Sequence, residues 1–311
     1  MTLGRRAPRI GLPTLLTLAA LVAVALTLLA RRLERRAPRP GPGAGDSAPA
    51  GGDIPAEPAV GPVPPPGVAE EPAPDADWVP VGDALARVAI VIDDVGQEMG
   101  PVLELAAIGV PLTFAVLPHR RYSEQLAAVL HAAGHEVILH LPMEPFGYPT
   151  RDPGEGSVSG RMRAAEIARR VRWGLGQVPQ AVGVSNHMGS RATADREVMR
   201  AVLGVVRSRS LYFLDSRTSP ETVGFRMAVE MGIPAVERGL FLDARREEPY
   251  IESQVRSLLR RARAQGSVVA IGHPHPATVQ VLRRSIGLLR SAGIHLVPAS
   301  ELAGFGGEGS G

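Results

Sequence analysis

Between residues 87 and 304 the chain repeats one pattern, a short apolar run rich in β-branched residues followed by a stretch with helical spacing. The runs VAIVI (88–92), LTFAV (112–116), HEVILHL (135–141), AVGVS (181–185), LYFLD (211–215), SVVAIGH (267–273) and IHLVP (294–298) read as strands. Two shorter apolar pieces, IPAV and GLFLD, lie between the fifth and sixth. Runs apolar at successive positions suit strands covered on both faces. Helices are expected through Leu103–Ile108, from Ser123 to Gly134, and over 163–175, 194–207, 221–232, 250–265 and 276–291. Ser123 is the expected cap of the second and Gly134 its stop. Strict alternation demands parallel strands joined by right-handed crossovers. The expected fold is therefore α/β, with seven or eight alternations that fit a closed or nearly closed (β/α) barrel better than an open sheet.

The rest of the chain reads differently. Arg5, Arg6 and Arg9 precede an uncharged stretch from Ile10 to Ala30, and Arg31 and Arg32 follow it. That stretch has the length a bilayer-spanning helix needs, and Leu28-Leu29-Ala30-Arg31 makes a poor cleavage site. Residues 1–36 are thus expected to be an uncleaved signal anchor rather than a cleaved signal peptide. Residues 37–84, dominated by Pro, Ala and Gly without apolar periodicity, are an expected disordered linker. Residues 85–304 form the expected folded domain and 305–311 a flexible tail.

Composition removes several function classes. The net charge is +3 and the basic residues, all of them Arg, form no stripe, which argues against a nucleic-acid partner. There is no Cys, so disulfides, thiolate ligands and a cysteine nucleophile are excluded. A metal would have to be held by His, Asp or Glu, which suits zinc or a similar divalent ion.

Polar residues gather just after the strands, at the end where α/β barrels carry their sites. Asp93 and Asp94 follow the first strand, His140 ends the third and Glu144 lies four residues on. Asn186 and His187 follow the fourth, Asp215 ends the fifth, Asp243 follows GLFL, and His273 and His275 follow SVVAI. Singly, such residues are as readily helix caps or structural histidines as functional groups. His135, which begins its strand, reads as structural or supporting; His119, His131 and His295 read as structural or surface, and Met143 and Met188 as wall residues. Convergence on one end of a barrel favours a site. One carboxylate and two imidazoles make a hydrolytic divalent-metal centre, a second carboxylate a base, and a histidine opposite an acid.

VAIVIDDVGQ (88–97), PLTFAVLPH (111–119), GHEVILHLPMEP (134–145), GVSNHMGSRAT (183–193), LYFLDSRTS (211–219) and IGHPHPAT (271–278) together resemble the divergent polysaccharide deacetylases, relatives of the NodB-like carbohydrate esterases. The resemblance implies a NodB-like distorted (β/α) barrel of about seven parallel strands, with Asp93 as general base, Asp94 as metal ligand and His273 as the acid. NodB-like relatives carry a second histidine where this chain has Glu144, and the divergent branch resembles a variant that uses His187 instead. The implied ligands are then Asp94, His140 and His187 around Zn2+ or a similar ion. Glu144 is a possible further ligand or substrate-side group, Asp215 a carboxylate that orients a neighbour, and His275 and Asn186 are possible further members.

The implied reaction is removal of acetyl groups from an envelope polysaccharide. A peptidoglycan-like substrate attacked at another amide is a variant, and a non-catalytic envelope-binding or assembly protein that keeps the metal site is the alternative. The resemblance also implies a single-pass protein of the inner (cytoplasmic) membrane, held through its N-terminal helix, with the catalytic domain on the periplasmic or extracellular side.

Overall fold

The computed structural model describes residues 86–304. The expected anchor over 1–36, the linker over 37–84 and the tail over 305–311 lie outside the described residues. No helix among the described residues is long and apolar enough to cross a membrane.

The chain runs β1 (Ala86–Val95), α1 (Gly100–Ala106), β2 (Thr113–Val116), α2 (Ser123–Ala132), β3 (Glu136–Met143), α3 (Ala164–Gln177), β4 (Gly183–Met188), α4 (Arg196–Ser208), β5 (Tyr212–Asp215) and α5 (Gly224–Glu230). It continues through β6 (Ala235–Glu237), β7 (Leu240–Phe241), α6 (Glu248–Gln265), β8 (Ser267–Gly272), α7 (Pro276–Ser291), β9 (Ile294–Leu296) and α8 (Ala299–Leu302). All strand pairs are parallel, in the order β6-β5-β4-β3-β2-β1-β8-β7, with β9 added to β1.

Two expectations change. There are nine described strands rather than about seven, because IPAV and GLFLD each pair as well. The sheet is also a half-barrel, with β6 and β7 at opposite ends of the strand order. Only Arg238 and Gly239 separate those two strands in the chain, so this pair of residues spans the seam. Arg238 N donates to Asp215 O at 2.9 Å on one side, and Gly239 N donates to Val269 O at 2.8 Å on the other. A Cβ on Gly239 would fall 2.7 Å from Val268, which is why the crossing needs glycine.

The helix termini show local chemistry at work. Asp195 caps α4 by accepting from Glu197 N at 2.8 Å and Val198 N at 3.2 Å. Gly266 ends α6 in the left-handed conformation. Ser123 is not the expected cap. Its hydroxyl donates back to Leu117 O at 2.5 Å and accepts from Arg120 N at 2.9 Å, pinning the turn after β2.

Successive strand residues face opposite sides of a sheet, and the core divides accordingly. Val88, Ile90 and Ile92 of β1, Val137, Leu139 and Leu141 of β3, Phe213 of β5 and Val268 and Ala270 of β8 pack outward against the helices. Ala89 and Val91, Ile138, Tyr212 and Leu214, and Val269 and Ile271 form a smaller inner cluster, plugged at one end by Ala299 of α8. This inward parity decides which strand-end residues can meet.

Candidate metal centre

Asp93 continues the inward series after Ala89 and Val91, and His140 follows Ile138 in the same way. In a regular strand Asp94 would face away from Asp93. The pairing of β1 with β2 prevents that. Ile92 pairs with Phe114 and Val95 with Val116, three steps against two, so a bulge lies at the aspartates. Asp94 adopts a positive φ of 58° within it, a conformation Asp tolerates better than most residues. Two neighbouring carboxylates thereby reach one site.

His140 pairs in register with Ser185, and Pro142 with His187, so β4 sets His187 one inward position beyond Ser185. His140 Nδ1 lies 2.7 Å from Ser185 Oγ. With the proton on Nδ1 and that hydroxyl as acceptor, Nε2 keeps its lone pair for a ligand. His140 Nε2 lies 3.3 Å from Asp94 Oδ1 and 3.5 Å from Asp93 Oδ2, and His187 Nδ1 lies 2.7 Å from Asp94 Oδ1. Asp94, His140 and His187 each offer one ligand atom within 4.8 Å of the others. One carboxylate and two imidazoles are a donor set suited to zinc. Asp93 Oδ1 is buried and has no hydrogen-bond partner among the described residues, a costly arrangement unless a ligand or substrate meets it. The residues therefore fit a divalent metal.

His273 lies across from this group, its Nε2 3.9 Å from Asp94 Oδ2. Its Nδ1 lies 2.9 Å from Asp243 Oδ1, and its backbone N donates to Asp243 Oδ2 at 2.7 Å. Thr278 Oγ1 donates to the same Oδ2 at 2.7 Å. Both residues obey parity: His273 extends the inward series of Val269 and Ile271, and Asp243 that of Phe241.

The charges follow from these contacts. Burial pushes the Asp93 carboxyl up. Burial acts the same way on Asp94, but the close approach of the His140 and His187 imidazoles outweighs it and holds that carboxyl far below the usual range. Burial would lower His273; the hydrogen bond to Asp243 and the charges of Asp243, Asp93 and Asp94 overcome it and push the imidazole up to about 9. Asp243 is lowered in turn, its burial overridden by His273. The cluster thus combines a buried carboxylate disposed to take a proton with an imidazolium disposed to give one.

Other expected members serve elsewhere. Asp215 does not orient a histidine: its oxygens accept from Arg217 N, Thr222 Oγ1 and Phe225 N at 2.9, 2.7 and 3.0 Å. It shares the outward parity of Phe213 and fixes the loop into α5. Glu144 lies outside the triad, with Oε2 accepting from Gly160 N at 3.0 Å and Oε1 lying 3.7 Å from Arg191. Asn186 ties β4 to the loop after β5, accepting from Ser216 N at 2.9 Å and donating to Met188 O at 2.8 Å. His275 is brought beside His273, ring centroids 5.7 Å apart, and forms a second possible ligand group with Asp243 and His273. Asp243 is the residue to which sequence reasoning gave no role. Its signal was present, since GLFLD ends in Asp as LYFLD does, but nothing local distinguishes the two.

The family model for divergent polysaccharide deacetylases matches residues 90–303. The chain belongs to that family. It is 39% identical over 217 residues to the Escherichia coli (strain K12) protein YibQ, covering 70% of this chain and 67% of that one. It is 33% identical over 224 residues to a Haemophilus influenzae protein, covering 72% of this chain and 76% of that one. The crystal structure of ATU2773 from Agrobacterium tumefaciens C58 superposes with a TM-score of 0.67 at 24% identity, over 73% of this chain and 92% of that one, so the fold is shared.

Proposed function

We propose that this member of the divergent polysaccharide deacetylase family is a metal-dependent hydrolase that removes acetyl groups from an envelope polysaccharide. The observation that carries the reading is the placing of Asp93 and the Asp243–His273 pair beside the Asp94, His140 and His187 donor set. A zinc-like ion held by that set would polarise an acetyl carbonyl and stabilise the charge that grows on its oxygen. Asp93 takes a proton from the water that attacks the carbonyl carbon. As the bond from that carbon to nitrogen or oxygen breaks, His273 delivers its proton to the leaving sugar atom, and acetate is released. Asp243 holds His273 in orientation and in its charged form. The same reading sets the domain outside the cytoplasm, tethered to the inner membrane by the N-terminal segment.

The test is metal content and acetate release in the full chain, wild type beside His187→Ala. One ion per chain, lost in the variant together with acetate release from an acetylated glycan, is the expected result. An ion bound by wild type without hydrolysis of any acetylated glycan would turn the reading toward an envelope-binding scaffold. Metal retained in full by His187→Ala would remove the third ligand.

A further inference from the structure

A polar cavity whose lining shares no residue with the metal centre lies at the seam of the half-barrel. It encloses about 480 Å³ between β6, the Arg238–Gly239 crossing and the first residues of β8, with the C-terminal end of α6 and Leu302 of α8 completing its wall. Its charged lining is Arg217, Arg238, Arg261 and Glu237, an excess of two positive charges. Glu237 is already engaged by Arg217 Nη1 at 2.6 Å. Asp215, the carboxylate under this loop, is spent on Arg217 N, Thr222 and Phe225 N.

The arginines are held in place by contacts that leave donors over. Arg238 Nε donates to Ser216 O at 2.7 Å and Nη2 to Arg217 O at 2.8 Å, while its guanidinium stacks 3.9 Å above the Phe241 ring. Arg261 Nη1 donates to Gly239 O at 3.2 Å. Arg238 Nη1 and Arg261 Nη2 have no hydrogen-bond partner among the described residues. Burial lowers the pKa of Arg238 and the Arg217 and Arg261 charges act the same way, while the Asp215 and Asp93 carboxylates favour its charged form. Three guanidiniums on one concave wall, with only Glu237 among the lining carboxylates and with preorganised donors left over, are arranged to receive an oxyanion.

We infer that the cavity bounded by Arg217, Arg238 and Arg261 is a binding site for a phosphate-type oxyanion, separate from the metal centre and independent of the hydrolase reading. Arg238 would anchor it from the seam and Arg261 from the helix side. Phe241 connects the two regions, since its other neighbour is the His273 ring, 6.2 Å between centroids.

The experiment titrates the full chain with inorganic phosphate against chloride at matched ionic strength and follows thermal unfolding, with glucose 1-phosphate as a second probe. Wild type should show a saturable rise in Tm with phosphate. Arg261→Gln, at an exposed position, should weaken the apparent affinity about tenfold, the loss of one charge-assisted contact. Arg217→Gln should do the same, and Arg284→Gln, in a surface ion pair elsewhere, should leave it unchanged. A stronger response to the sugar phosphate means the site takes a pendant phosphate, and an equal or weaker one means it takes the free ion; either supports the site. A response no larger than that to chloride overturns the proposal. So does one that survives both Arg261→Gln and Arg217→Gln, because it belongs to the metal centre.

Discussion

The barrel interior holds a polar cluster at each end, and the two are built on opposite principles. At the end where the strands begin, Glu136 Oε1 accepts from Thr113 Oγ1 and Tyr212 Oη, both at 2.9 Å, and from Ser300 N at 3.2 Å. Thr113 Oγ1 in turn accepts from Ala299 N at 3.0 Å, so α8 is bolted across the opening. Thr113, Tyr212, Ser300 N and Ala299 N thus form one connected set around Glu136, as a structural network does. At the end where the strands finish, two carboxylates and three imidazoles crowd together, and Asp93 Oδ1 is left without a partner. The first cluster closes the fold. The second leaves buried hydrogen-bonding capacity unmet within the described residues.

This contrast makes substitutions at the two ends separable. The largest effect is expected from His140→Ala, which removes one of three proposed ligands: metal content should fall to background and hydrolysis with it, measured by elemental analysis and acetate release. Asp93→Asn comes next. It should keep the metal, keep or slightly raise thermal stability, and lower hydrolysis about a thousandfold. A variant that unfolds instead would show that the mouth is scaffold after all. Asp243→Asn should lower the rate about a hundredfold by loosening the acid, and shift the alkaline limb of the rate profile downward as His273 loses its partner.

At the opposite end the readouts should exchange. Glu136→Ala removes the shared acceptor of Thr113 Oγ1, Tyr212 Oη and Ser300 N, and should cost about 3 kcal/mol in denaturant unfolding while leaving the metal in place. Loss of metal there would erase the distinction between the ends. The smallest effect concerns His135, whose Nε2 lies 3.1 Å from Ala106 O and whose Nδ1 is buried without a partner. Burial lowers its pKa, outweighing the hydrogen bond to Ala106. A depressed imidazole contributes stability that is present above the ordinary value of 6.5 and is lost as the pH falls through the lower folded value. Unfolding measured from neutral to mildly acidic pH should show that slope, and His135→Gln should flatten it.

The rim was legible because a parallel barrel sends its strand ends to one side, which placed Asp93, Asp94, His140, His187 and His273 together with Glu144, Asn186, Asp215, Asp243 and His275; the choice among them came from the family resemblance. Asp215 and Asp243 show where that logic stops. Both end the same kind of run, LYFLD and GLFLD, and their burial is alike. One faces outward with Phe213 and is consumed by the turn into α5; the other faces inward with Phe241 and meets His273. A strand buried on both faces carries no polar-apolar alternation, so its sequence does not say which side is which.

The sequence by itself determined the alternation, and with it parallel strands, crossover helices and a single rim where the polar strand-end residues gather. These follow from local preferences and from the short reach of the connections. The tertiary structure alone decided the half-barrel seam at Arg238–Gly239, the bulge that turns Asp93 and Asp94 to one site, and the exchange of roles between Asp215 and Asp243. Each of these is a matter of register or parity between segments distant in the chain. A shift of one residue in a strand reverses every side chain, and only the packed neighbours fix that choice.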